Sequence, residues 1–577
     1  MTLSTRALLG FVLFATLALY YPAMFGGFNS VDDLKMVTAL DNQPTLNLTA
    51  LFRPSSTFYY RPLLILSYYS DGILMGFAPE YMHLVNILLH ATNTLLVFAL
   101  GSFIFSAAGL VSPIPAFLGA LLFGLHPLNT ESVCWISGRS DLLGTLFVLL
   151  SLLVLLRGLQ RNRPWFGLVA AVLFLGAVMA KEVMLFFLPV AIFLILRWSQ
   201  SPGEQPQRIR YWLLGGFAAP FILGALAYAV RRIMAYGSGD AGVNFVLSTF
   251  KYEALDTLRV ACKVFGFYVK KLFLPLPLNF AIIQVSDYYT WFGLLSLISL
   301  IVLYRRRTLF ADLLLAAVFL IVPGIAIALT NVAWTPLAER YLYLSTVFWS
   351  LAVAGSGAVF MARSPRPLVW QGALVIILLG AGLATAQRAL LWQDRVAFYQ
   401  DAIAKTPNFP PLHNELALAL LKDGREEEAQ VQSVVAQRLD PERRIPTIHL
   451  NRATMLIREG RVAGARQIID TVLAGEAQPS LTLLQELARA NEALLLHQSS
   501  EAEKIKTLRQ LAEVYEKVHD LTHDPFIRYR QAQVLMLLDE PKLAAVLFAD
   551  AGQRAPESSH YKQAAVKLAD KLQGKTL

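Results

Sequence analysis

Apolar runs recur through the first two thirds of this chain, several shorter than the roughly 20 residues a helix needs to cross the hydrocarbon core of a bilayer. They lie near 7–25, 84–107, 112–126, 142–157, 165–180, 183–197, 211–230, 290–304, 309–330, 341–361 and 367–390. With 577 residues, 56% of them hydrophobic and 16% charged, the composition excludes an ordinary soluble enzyme. The stretch 250–274 is amphipathic and carries Lys251, Arg259, Lys263, Lys270 and Lys271, so it reads as an interfacial or re-entrant helix. The N-terminal run has no small-residue cleavage site before Tyr20-Tyr21-Pro22 and reads as a retained first span. Two cysteines, Cys134 and Cys262, give no metal or disulfide framework.

Charge sets the orientation. Residues 395–577 hold 24 basic and 24 acidic side chains, so the whole net charge of +10 belongs to the preceding part, 26 basic against 16 acidic. With eleven spans and a cytoplasmic N-terminus, four of five inner loops carry arginine: 157, 161 and 163; 197, 208 and 210; 305–307; 363 and 366. The odd count puts everything beyond about residue 391 outside, on the periplasmic or lumenal side. An excess of cations in a membrane region fits loop anchoring and an anionic lipid ligand; nucleic acid is not indicated.

Beyond Trp392 hydropathy falls and helical periodicity takes over. Pro407 and Pro441 stand 34 residues apart, the tetratricopeptide period. Leu416, Ala417, Gly424, Ala429 and Ala436 fit one helix–turn–helix, Gly460 and Ala465 mark a second, and Ala545, Phe548, Ala551 and Pro556 close a third. The expected architecture is all-α: a membrane domain over 1–391 and an α-solenoid of repeats over 392–577. Such a solenoid builds a groove suited to a polypeptide; a scaffold for assembly is the plainer use.

The outer loops collect the ionisable residues: Asp32-Asp33, the segment from His126 to Asp141, Lys181-Glu182 and Glu339-Arg340. Such groups at membrane depth are costly and mark functional sites by default. Adjacent carboxylates can divide labour, one taking a proton from a hydroxyl while the other binds acceptor or cation, and repulsion raises one pKa. Any divalent metal would sit at Asp32 and Asp33. Arg139 suits a phosphate through its planar fork, with Asp141 or Glu131 as the structural alternative partner; Lys181 and Arg340 are the next cations. Arg61, His83, His126, Glu131, Asp141, Glu182 and Glu339 are supporting candidates, whereas Asn86 and His90 read as polar contacts between helices. No P-loop, dinucleotide fingerprint, GxSxG elbow or HExxH occurs, which disfavours nucleotide-dependent and zinc-protease chemistry.

Val31-Asp32-Asp33, Tyr60-Arg61-Pro62-Leu63, His83 to His90, His126-Pro127 through Thr130-Glu131-Ser132-Val133 to Trp135-Ile136-Ser137-Gly138-Arg139-Ser140-Asp141, Ala180-Lys181-Glu182 and Ala338-Glu339-Arg340-Tyr341 together resemble the transmembrane and tetratricopeptide-repeat O-mannosyltransferases of the GT-C glycosyltransferase superfamily. That resemblance implies an active site on the lumenal or periplasmic face, a polyprenyl-phosphate sugar as donor substrate and a protein hydroxyl as acceptor. The family's candidate base falls on Asp32, with Asp33 beside it. The chain departs from the eukaryotic members in its few repeats and short length, and reads as a bacterial (inner-membrane) or similarly compact homologue whose acceptor polypeptide is expected on the repeats. The rivals are a lipid or glycan acceptor and a non-catalytic repeat-bearing anchor.

Overall fold

A computed structural model describes residues 3–29, 31–41, 61–198, 207–236, 252–330, 333, 335–475, 481–556 and 559–574; Tyr60 and Lys251, used above, lie outside them. Among the described residues every regular element is helical, with one isolated bridge between Ile282 and Leu337. The chain forms two compact units, dividing between Thr406 and Pro407.

The membrane unit runs α1 (Leu3–Tyr20), α2 (Asp33–Asp41), α3 (Pro62–Met75), α4 (Pro79–Ala107), α5 (Ile114–Gly124), α6 (Thr130–Cys134), α7 (Arg139–Gln160), α8 (Phe166–Ala180), α9 (Phe187–Trp198), α10 (Gln207–Tyr236), α11 (Ala254–Phe273), α12 (Tyr288–Arg306), α13 (Leu309–Phe319), α14 (Val322–Ala328), α15 (Tyr343–Arg363), α16 (Pro367–Leu391) and α17 (Arg395–Lys405). Seven helical stretches among the described residues are long and apolar enough to cross a membrane: 5–25, 79–107, 136–160, 288–306, 309–328, 339–363 and 367–391. The expected spans at 112–126, 165–180 and 183–197 are also helices, but of 11, 15 and 12 residues. At 1.5 Å per residue they fall short of the hydrocarbon thickness unless the flanking turns are added.

Lipid offers apolar helices no hydrophobic reward for associating, so they must fit closely. The residues show this. α15 buries its first thirteen positions almost continuously, and α12 and α16 turn leucines and isoleucines outward. The amphipathic helix α11 docks on α12 through Gly266 and Gly293. A Cβ on either glycine would drive deep into the other helix's backbone, at Tyr289 O and Cys262 O respectively.

The second unit continues with helical hairpins: α18 (Pro410–Lys422), α19 (Glu426–Leu439), α20 (Pro446–Arg458), α21 (Val462–Gly475), α22 (Leu481–His497), α23 (Glu501–Thr522), α24 (Pro525–Leu537), α25 (Pro541–Arg554) and α26 (Lys562–Leu572). Gly424 and Gly460 take φ of +76° and +73° just after α18 and α20, a left-handed conformation cheap only for glycine, and each reverses the chain into the next helix. Ala429, Ala436, Ala465, Ala544 and Ala551 are fully buried where the hairpin helices meet. The small residues of the repeat pattern are thus what lets the solenoid close up.

Candidate functional site

One end of the membrane unit gathers the ends of α1, α5, α8 and α16 with the starts of α4, α7, α9 and α15, and the ionisable residues predicted from sequence lie there. The chain leaves α1 through a 3-10 turn at 21–25 and enters α2 at Asp33. The amide of Met36 donates to the carbonyl of Asp32, 3.1 Å, so Asp32 is the residue that caps this helix. Its side chain faces outward, whereas Asp33 is 1% exposed. Both oxygens of Asp33 accept: Oδ2 from the amide of Asn29 (3.0 Å), Oδ1 from the amide of Ser137 (3.0 Å) and from the Ser137 hydroxyl. Burial pushes Asp33 up to about 7 against the pull of these donors, and the charge of Asp32 adds a smaller rise. The adjacent carboxylates therefore occupy two environments.

The cations all meet carboxylates far away in sequence. Arg61 forms a two-pronged pair with Glu182 (2.8 and 2.5 Å), Lys181 meets Asp141 (2.6 Å), Arg340 binds Glu131, and Lys271 meets Glu339 (2.6 Å). Arg61 and Arg340 are both close enough to Lys181 to repel its charge. Burial and this repulsion lower the Lys181 pKa, while Asp141 opposes the drop. The Tyr341 ring lies between Lys181 (5.9 Å) and the Arg340 guanidinium (4.9 Å), and the Trp135 ring supports Arg340 from 4.9 Å. Trp135 and Ser137 are two residues apart, so one turn joins the acidic pair to the cations. Burial raises Glu182, but its hydrogen bonds and charge pairing with Arg61 more than reverse this, leaving it below the usual carboxylate range.

Arg139, read from sequence as the phosphate clamp, lies in the interior with no exposed surface. Its ion-pair partner is Asp71 (2.5 Å), neither of the carboxylates expected. Nε donates to Asn86 (2.8 Å), Nη1 to Ser67 Oγ (3.0 Å) and Nη2 to the carbonyl of Met82 (2.9 Å), with the Tyr68 ring 4.6 Å away. It ties α3, α4 and α7 together. His126 caps the turn at 127–129 by accepting from the Leu128 amide, and its ring meets Trp349 edge-on. His83 is buried beside Gly26. Asn86 and His90 do bond neighbouring segments, at Trp135 O (2.9 Å) and Tyr343 OH (2.7 Å).

Several contributors went unassigned in the sequence. Lys271 sits on the buried side of α11 and also donates to the carbonyls of Pro275 (3.0 Å) and Pro277; Glu339 accepts in addition from the amide of Asn279 (3.0 Å). Phe280 packs edge-on against Trp135 and Trp392. Ser137, Trp135 and Tyr341 lay inside recognisable motifs without a role. Among the described residues no group of three His, Cys, Asp or Glu side chains could hold a metal ion, and the oxygens of Asp33 are already engaged.

Comparison with known proteins agrees with this architecture. A tetratricopeptide-repeat family model matches residues 398–431. The chain is 39% identical over 136 residues to the Protein O-mannosyl-transferase TMTC1 of Mus musculus, covering 21% of this chain and 14% of that protein. Against TMTC4 of Homo sapiens it is 42% identical over 106 residues (16% and 14%), and against Tmtc3 of Drosophila melanogaster 25% over 452 residues (66% and 48%). These alignments cover about half or less of the length of the curated relatives. The chain is a helical membrane protein with tetratricopeptide-type repeats, similar to the TMTC protein O-mannosyl-transferases.

Proposed function

We propose that this protein is a glycosyltransferase that moves mannose or another hexose from a polyprenyl-phosphate donor to Ser/Thr hydroxyls of proteins, on the periplasmic or lumenal side. The observation that carries the reading is the pairing of an outward-facing carboxylate, Asp32, with a buried one, Asp33, which is held by Ser137, two residues from the Trp135 ring that supports Arg340. A helix N-terminus stabilises carboxylate at Asp32, and its exposure lets a hydroxyl approach. Asp33 fixes the turn and need not meet substrate.

In this mechanism Asp32 takes the proton as the Ser/Thr oxygen attacks the anomeric carbon. The new C–O bond forms on the face opposite the phosphate, the C–O bond to phosphate breaks, and polyprenyl phosphate leaves with that electron pair, giving inversion. Arg61, Lys181 and Arg340 stabilise the negative charge growing on the leaving phosphate. Arg139 acts beneath them, holding α3, α4 and α7 in register. The repeats supply the acceptor polypeptide. No metal is needed, since the leaving group is already a phosphate.

Purified protein with polyprenyl-phosphate mannose and a Ser/Thr-rich acceptor peptide tests this by intact mass. The expected result is a hexose added to the peptide, of inverted configuration by NMR, abolished in Asp32→Asn. Transfer only to a lipid or glycan acceptor moves the reading to that class. No transfer to any of them, or full activity in Asp32→Asn, sinks it.

A further inference from the structure

The loop that carries Asp32 is held from the far end of the chain. α17 precedes the repeats and its residues from 398 onward fall within the matched repeat model, yet it is built into the membrane unit. Arg388 of α16 pairs with Asp401 (2.8 Å), and Gln393 donates to the carbonyl of Pro22. Phe398 packs on Trp392 and Phe280, ring centroids 4.3 and 5.0 Å away. Thr406 donates to the carbonyl of Ala281 (2.8 Å).

Two residues of α17 go further and grip the loop itself. Tyr399, fully buried, donates its hydroxyl to Asn29 Oδ1 at 2.8 Å, across 370 residues of sequence. The same Asn29 oxygen accepts the amide of Val31 at 3.0 Å, while the Asn29 amide donates to Asp33. Arg395 donates from Nη1 to the carbonyl of Phe28 (3.0 Å), and its guanidinium lies against Gly27. Phe28, Asn29, Val31 and Asp33 are thus tied by hydrogen bonds: Asn29 is the hub, Asp33 and Ser137 hold one side, and Tyr399 and Arg395 hold the other.

We infer that α17 is a positioning element of the transferase site, with Tyr399 and Arg395 fixing the turn that presents Asp32. The inference rests on the transferase reading, but the grip on the loop is independent of it. Asn29 is 6% exposed, so without Tyr399 its oxygen keeps one partner in a buried setting and the turn is held less firmly. Asp32 then spends less time where a hydroxyl can meet it, and the turnover rate falls while donor affinity, set by the cations, stays.

The experiment uses full-length protein and three variants, Tyr399→Phe, Asn29→Ala and the double. Two quantities are read: amide hydrogen exchange of peptides covering 26–34, and kcat with donor KM. For Tyr399→Phe, kcat should fall about tenfold with donor KM within about twofold, the size expected for one buried hydrogen bond. Exchange should quicken at 26–34 and stay unchanged in α7 and α15. The double variant should be no slower than Asn29→Ala, because both changes remove one contact. Unchanged exchange at 26–34 overturns the grip, and so does additive loss in the double. Quicker exchange with unchanged kcat overturns the positioning role. Wild-type protein that transfers no sugar refutes the transferase reading instead, and the exchange result alone then decides whether α17 holds the loop.

Discussion

Replacing Asp71 by asparagine tests the buried pair beneath the site. The guanidinium of Arg139 has no exposed surface, and every other partner it has is neutral: Asn86, Ser67, the carbonyl of Met82 and the Tyr68 ring. Asp71→Asn keeps the shape but leaves a buried cation uncompensated, a change that costs about 3–5 kcal/mol. Arg139→Met strands the carboxylate and should cost a similar amount. Removing both charges together, Arg139→Met with Asp71→Leu, leaves only acceptors short of a donor, at about 1 kcal/mol each. The double variant should therefore be more stable than the singles would predict when added, by about 3–7 kcal/mol of coupling. Cys134 and Cys262 are free and buried, so a thiol-reactive dye in a thermal ramp reports unfolding of the membrane unit directly. A midpoint drop of roughly 5–10 °C is expected for Asp71→Asn, taking about 2 °C per kcal/mol for a large domain. Arg139→Lys separates this from a phosphate clamp: lysine cannot reproduce the fork, so stability should fall with it. Singles within about 1 kcal/mol of wild type, less than any buried pair should cost, or a double variant that merely adds them, would refute the reasoning.

Arg61→Ala should raise donor KM about tenfold, the loss of one charge-assisted contact, while Glu182→Gln should leave KM unchanged or lower it, both read from initial rates. Stability measured by the same thiol dye should decline as pH rises from about 4 to about 7 and level off above, because folded Asp33 holds its proton to about 7 against 3.8 unfolded; the decline is on the order of 4 kcal/mol and should vanish in Asp33→Asn. Gly266→Ala should part α11 from α12 and lower the thermal midpoint by more than Gly372→Ala on the lipid-facing α16, where an added methyl meets nothing within 4 Å.

The sequence exposed some of this and hid the rest for identifiable reasons. Apolar runs give away the helices because the bilayer demands about 20 consecutive residues. The short helices at 114–124, 166–180 and 187–198 were legible as elements, but not in length, since 3-10 turns and flanking loops extend them. The charged dipeptides were visible one by one. Their partners were not: Arg340 and Glu131 lie 209 residues apart, Arg61 and Glu182 lie 121 apart, and nothing local selects either pairing. Asp71 belongs to none of the motifs read from the sequence, and only the fold brings it to Arg139. Lys271 looked exposed because amphipathicity marks a face by average, and one buried lysine barely alters the average. Tyr399 sits in a stretch that reads as repeat, where a buried tyrosine is a core residue; only the fold brings it to Asn29.

Taken together, the ion pairs form a gradient that decides which cation can serve a substrate. Arg139–Asp71 and Lys271–Glu339 are wholly interior, and Lys181–Asp141 has side chains only 7% and 5% exposed. Parting any of these means stranding a charge away from water, so Arg139 and Lys271 work as fixed struts, and in the proposed reaction Lys181 would act on the phosphate by its field without leaving Asp141. Arg61–Glu182 is different: its carboxylate is 50% exposed and its guanidinium 19%, so of these pairs it lies nearest to water. In the proposed reaction, an arriving phosphate would compete with Glu182 for Arg61, leaving the interior pairs in place. Arg340 takes a middle course: Glu131 holds it on one side, while its other amino group reaches the Tyr341 hydroxyl at 3.4 Å. Each cation of the cluster is thus balanced by a carboxylate, which membrane depth favours. The acidic pair divides in the same way: Asp33 is buried and holds the turn, while Asp32 is exposed, as the proposed base must be.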